Sequence, residues 1–194
     1  MLEAIVKRLS LSIEDKTQKV IPLAKQLTNA DGKMWPAEYV GNGNYKDFSI
    51  DNFAGLSYFR LRSKAIISEV EQNGRPLNDL NSFLYPIRLV CAIQNSVVGK
   101  DDSFSPDALA LTIVKQLNES NGNLKQDLSA QKATIRCESY DTDVKSILSE
   151  EYFGIERLKN SIPYNYSLVA IDINVDVIIS NNCLANICKP YCNA

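Results

Sequence analysis

The stretch that decides the fold is Tyr166–Ser180, YSLVAIDINVDVIIS. Val169, Ile171, Ile173, Val175, Val177 and Ile179 form one unbroken apolar face, and Leu168, Ala170, Asp172, Asn174, Asp176 and Ile178 form the other. Strict alternation places successive side chains on opposite sides of an extended chain, so this segment predicts a strand with one buried face. The run from Leu168 to Ile179, at ~3.3 Å per residue, spans about 40 Å, roughly twice an ordinary strand. Such a strand either crosses the centre of a sheet or runs past it toward another subunit.

Three further segments share the pattern. In YFRLRSKAII, Phe59, Leu61, Ala65 and Ile67 fall on one side and Arg60, Arg62 and Lys64 on the other, which predicts a half-buried antiparallel strand. Pro86 to Gln94 carries Ile87, Leu89, Cys91 and Ile93 in phase, and Lys132 to Tyr140 carries Ala133, Ile135 and Cys137. Between Asn29 and Phe48 lie turn-rich residues, where Gly41-Asn42-Gly43-Asn44 reads as a hairpin turn and Tyr39-Val40 as a short strand.

Helical spacing dominates the start of the chain. Leu2, Ile5, Val6, Leu9 and Ile13 repeat every three to four residues, and Val20, Ala24 and Leu27 continue loosely past Pro22, predicting one or two helices over 2–28. Ser105-Pro106-Asp107 opens a second helix, with serine as cap, proline at the first position and an acid in the first turn. Leu109, Ile113, Val114 and Leu117 make its buried stripe, and Asn121-Gly122 closes it. A third helix follows, capped by Asp141, carrying Val144, Ile147 and Leu148 and ending near Gly154. Together these elements predict an α+β fold: a single domain with a mainly antiparallel sheet and two or three helices packed on one face, ordered α-β-β-α-β-α-β. The domain covers 1–182, with an N-terminal helical segment over 1–28 and a cysteine-containing tail over 183–194.

Composition narrows function. The 194 residues include no histidine, which removes Ser-His-Asp and Cys-His nucleophile systems and histidine-ligated metals from this chain. The 21 basic and 23 acidic residues give a net charge of −2, so no basic excess is present to neutralise a phosphate backbone. No run approaches the ~18 apolar residues of a membrane span, and the first residues lack a secretory pattern, so synthesis in a cytoplasm is expected. Five cysteines cannot all pair with one another. Cys91 and Cys137 fall on apolar strand phases as small buried thiols. Cys183, Cys188 and Cys192 are read as free thiols in a terminal segment, with a disulfide or a three-thiolate metal site as alternatives.

Several motifs imitate catalytic chemistry. Pro106-Asp107 followed by Asp143-Val144-Lys145 has the letters of a metal-dependent nuclease, in which two acids hold a cation and a lysine assists water. That chemistry needs both acids on one hairpin, whereas helix starts account for each acid here. The pair Asp141 and Asp143 and the ladder Asp172, Asn174, Asp176 are alternative sites for a hard cation. Helix capping explains the pair, and a solvated or subunit-facing strand surface explains the ladder. Gly41 to Asn44 lacks the helix and lysine of a phosphate loop. No catalytic, cofactor-binding or metal-ligating residue is assigned, and no cofactor is expected.

The leading amphipathic helix, the segment WPAEYVGNGNYKDF leading to YFRLRSKAII, and the closing YSLVAIDINVDVIISNNC resemble the neck and tail-completion proteins of tailed bacteriophages. The resemblance is to the tail-terminator type of ring protein, including those of phages infecting Bacteroidetes. It implies an α+β virion protein that forms a closed six-fold or twelve-fold ring, contacts portal, neck or tail proteins, and passes DNA as cargo. It implies no enzymatic activity and no membrane association. On this reading Arg60, Arg62 and Lys64 of one subunit approach Asp172 and Asp176 of the next; alternatively, the acids line the DNA channel and repel the phosphates.

Overall fold

Two long strands organise the molecule. The computed structural model describes residues 1–96, 105–155, 162 and 165–184. Strand β8 (Tyr166–Ser180) pairs along its whole length with the 20-residue β6 (Arg75–Gln94), in antiparallel register from Leu80↔Ser180 to Gln94↔Tyr166. β8 therefore crosses the interior of the sheet, with β7 (Lys132–Asp141) on its other side. It is β6 that outruns its neighbours.

The remaining strands are β1 (Lys19–Thr28), β2 (Met34–Gly41), β3 (Asn44–Asp47), β4 (Gly55–Leu61) and β5 (Ile66–Gln72). They form one eight-stranded sheet, ordered β3-β2-β1-β4-β6-β8-β7, with β5 paired to β6 beyond the end of β4. All pairings are antiparallel except β1 with β4. Helices are α1 (Leu2–Leu11), α2 (Pro106–Glu119), α3 (Asn121–Asp127) and α4 (Val144–Glu151), with a short 3-10 turn at Ile50–Asn52. The α+β class and the mainly antiparallel sheet are as expected from the alternating segments. The element order is longer, running α-β-β-β-β-β-β-α-α-β-α-β.

Both sheet faces are covered, in contrast to the expectation of helices on one face. Ile5, Val6 and Leu9 of α1, Ile113 and Leu117 of α2, and Leu124 of α3 pack against the odd-numbered face of β8 and against Ile87, Leu89 and Cys91 of β6. Burying each such aliphatic side chain contributes about 1.5–3 kcal/mol relative to exposure. On the opposite face, Ile147, Leu148 and Tyr152 of the α4 segment meet Leu56, Tyr58, Val90, Ala92, Leu168 and Ala170. A strand buried on both faces needs no polar phase over that portion.

The helical expectation over 2–28 holds only as far as Leu11. Lys19–Thr28 is strand β1, paired with β2 from Ala24 to Thr28. Pro22 lies at the register shift between Ile21 and Ala24, a bulge where its missing N–H forfeits no ladder bond. The strand expected through YFRLRSKAII is interrupted. β4 stops at Leu61, β5 starts at Ile66, and both lie along β6. Arg62 N donates to Pro86 O at the break, where β6 changes partner from β4 to β5.

Helix ends also differ in detail. Ser105 precedes α2 with no side-chain capping bond, its carbonyl accepting from Leu109 N. Asn121 opens α3 instead of closing α2, and its side-chain oxygen accepts from Ile135 N at 2.6 Å. Asp143, not Asp141, caps α4, accepting from Lys145 N at 2.9 Å; Asp141 accepts from Asp143 N at 2.8 Å. Among the described residues no helix is long and apolar enough to cross a membrane.

Candidate functional site

The even-numbered face of β8 is apolar under α4 and becomes ionic toward Ser180. At that boundary sits a buried charge cluster. Arg60 of β4 and Arg88 of β6 are directly opposite in register and almost fully buried. Glu151, in the last turn of α4, is wholly enclosed between them. Arg60 donates from Nε to Glu151 Oε2 at 2.8 Å and from Nη2 to Oε1 at 2.6 Å. Tyr58 Oη donates to Glu151 Oε2 at 3.0 Å. Arg88 Nη2 reaches Glu150 Oε2 at 2.9 Å, and its Nε lies 3.2 Å from Glu151 Oε1, off the hydrogen-bond axis.

The cluster continues to β8. Arg88 Nη1 pairs with Asp172 Oδ1 at 3.1 Å and Arg62 Nη1 with Asp172 Oδ2 at 3.2 Å. Three guanidinium groups thus meet three carboxylates. Desolvation works against the charge on Arg60, but its hydrogen bonds and attraction to Glu151, together with the neighbouring Tyr58 and Glu150, raise its pKa overall. Burial and the neighbouring Glu151 charge push the Tyr58 phenol well above its ordinary value. Each charge here is spent on another charge of the same chain, which holds α4 on the sheet.

The residues singled out in the sequence are therefore placed as follows. Arg60 is buried in the cluster, and Arg62 and Asp172 pair within one subunit. Asp176 pairs with Arg136 of β7, and Asn174 donates to Glu138. Arg62 and Lys64 both lie exposed in the break between β4 and β5, and of the three bases Lys64 alone has no ion pair among the described residues. Arg60, Arg62, Asp172 and Asp176, expected at a contact between subunits, are each paired within the chain, where the antiparallel β4–β6–β8 register sets Arg60, Arg88 and Asp172 side by side.

Glu151 and Arg88 are absent from the sequence reading, yet both left a signal. Glu151 follows Val144, Ile147 and Leu148 at the i+7 position of α4's apolar stripe. Arg88 is a lone charge within the apolar run PIRLVCAI. A third signal is Asn73-Gly74, where φ values of +53° and +72° form the two-residue turn joining β5 to β6.

Asp107 lies in the first turn of α2, and Asp143 caps α4 on the opposite sheet face. The nuclease pairing of these acids is thus not assembled. Among the described residues no group of three or more cysteine, aspartate or glutamate side chains is placed to hold a metal ion. Cys183 is half-buried, while Cys188 and Cys192 lie outside the described residues.

The hairpin of β5 with the first part of β6 lies at an open edge of the sheet, as do the end strands β3 and β7 among the described residues. β8 pairs with β6 only as far as Leu80, and beyond it Arg75 and Pro76 pair with Gln72 and Glu71 of β5 across a register shift. Ile66 and Ile67 are 55% and 66% exposed, and β5 has an unpaired outer edge. No protein-family model matches the chain, and no curated protein matches its sequence.

Proposed function

We propose that this protein is a structural subunit that assembles with copies of itself into a closed ring, of the kind found at the neck or tail end of tailed bacteriophages. It catalyses no reaction, and its neighbours in the particle are portal, neck or tail proteins. The observation that carries the self-assembly reading is the β5–β6 hairpin, which extends past the end of β8 with a free strand edge and two exposed isoleucines. An unpaired edge is a template for another chain, and exposed apolar side chains beside it favour burial in an interface. The phage setting rests on the sequence resemblance.

A ring needs a head-to-tail contact between two different surfaces of the subunit. Mass photometry over a concentration series, followed by negative-stain microscopy, tests the proposal. Annular particles of uniform size are expected. Uniform 21.7 kDa particles at every concentration would overturn it.

A further inference from the structure

β1 and β4 run side by side from Lys19↔Leu56 to Ala24↔Arg60 and then part. β1 continues to Thr28, held on its far side by β2, while the chain after Leu61 follows β6 toward β5. The parting leaves an open groove of about 420 Å³ between Leu23, Lys25 and Tyr45 on one side and Leu61, Ser63 and Lys64 on the other. Lys25 Nζ sits 5.2 Å from the centroid of the Tyr45 ring, which holds one ammonium at the groove wall. Among the described residues neither Lys25 nor Lys64 has a carboxylate partner.

The hairpin carries the matching deficit. Glu69 and Glu71 of β5 are exposed and likewise have no ion pair among the described residues. Full antiparallel overlap of β5 with the β5 of a second copy would set Glu69 against Glu69 and Glu71 against Ile67, which disfavours that symmetric contact.

We infer that the β5–β6 hairpin of one copy docks in the β1/β4 groove of the next, setting Glu69 and Glu71 against Lys25 and Lys64. This rests on the self-assembly proposed above and assigns its two surfaces. The hairpin supplies an extended edge, and the groove supplies the gap between two diverging strands. Because the two surfaces differ, the contact propagates head to tail.

Four full-length proteins test the assignment: wild type, Glu69→Lys with Glu71→Lys, Lys25→Glu with Lys64→Glu, and all four changes together. Assembly is read by mass photometry at matched concentration and low salt, with circular dichroism and melting curves checking the fold. Each double variant is expected to lower the assembled fraction by about tenfold through like-charge contact, and the fourfold exchange to restore it to within about twofold. If both doubles assemble as wild type does, the hairpin–groove contact falls and self-assembly stands. A folded fourfold variant that does not regain assembly overturns the contact as well. A wild type that is monomeric throughout overturns both.

Discussion

Arg60 grips Glu151 side-on, with Nε 2.8 Å from one carboxylate oxygen and Nη2 2.6 Å from the other, and water reaches almost none of this contact. A two-bond guanidinium–carboxylate pair fixes orientation as well as distance. Here it joins the last turn of α4 to the end of β4, and Arg88 and Tyr58 close the remaining sides. The sheet face thereby turns from apolar to ionic without leaving an unpaired charge under the helix.

Removing Glu151 is expected to be severe. Glu151→Ala leaves Arg60 and Arg88 without their buried counter-charge and should cost about 3–5 kcal/mol. Glu150→Ala, at a side chain 46% exposed, should cost about 1 kcal/mol or less. Urea denaturation of the two variants checks the contrast; equal losses would contradict the assigned burial.

Asp172→Asn weakens the pairs with Arg62 and Arg88 inside one subunit. The expected cost is about 1–3 kcal/mol of folding stability, with the size distribution in solution unchanged. A variant that melts like wild type but no longer assembles would return Asp172 to the subunit interface.

Stability should decline on the alkaline side. Burial pushes the Cys91 thiol from its ordinary 9.0 up to about 12. Between those values the unfolded chain has released this proton and the folded chain still holds it, so unfolding is favoured as pH rises. Tyr58, displaced upward in the same way, adds to the loss above its ordinary value of 10.0. Denaturation midpoints measured from pH 8 to 11 should fall, and less steeply in Cys91→Ala relative to that variant's own value at pH 8.

Asp143→Ala removes the side-chain cap of α4. The Lys145 amide loses its acceptor, at an expected cost of about 1 kcal/mol. Asp141→Ala, whose side chain bonds only the Asp143 amide among the described contacts, should cost less. Thermal melts of both variants decide the order; a larger effect at Asp141 would reassign the cap.

Much of the fold was readable because burial imposes a period. The alternation in β8 required a strand whose odd positions enter a core, and the spacing of Ile5, Val6 and Leu9 required a helix over one face. Lys19–Thr28 misled because Val20, Ala24 and Leu27 satisfy a loose helical spacing. Only pairing with β2 and β4 makes that segment a strand, with Pro22 accommodated at the bulge. Likewise, Asn121-Gly122 looks like a helix stop, but Asn121 finds the Ile135 amide and opens α3.

The candidate site divides along the same line. Local sequence determined which residues are charged and which phase of each strand they occupy: Arg60 and Arg62 on one strand face, Asp172 and Asp176 on another. Their partners were decided by tertiary structure, because register is a relation between segments distant in the chain. The pairings Arg60↔Arg88 and Arg88↔Asp172 align these residues across three strands, and α4 lowers Glu151 onto them. That alignment pairs within the chain charges that looked free in the sequence, whereas Lys25, Lys64, Glu69 and Glu71 are exposed and have no ion pair among the described residues.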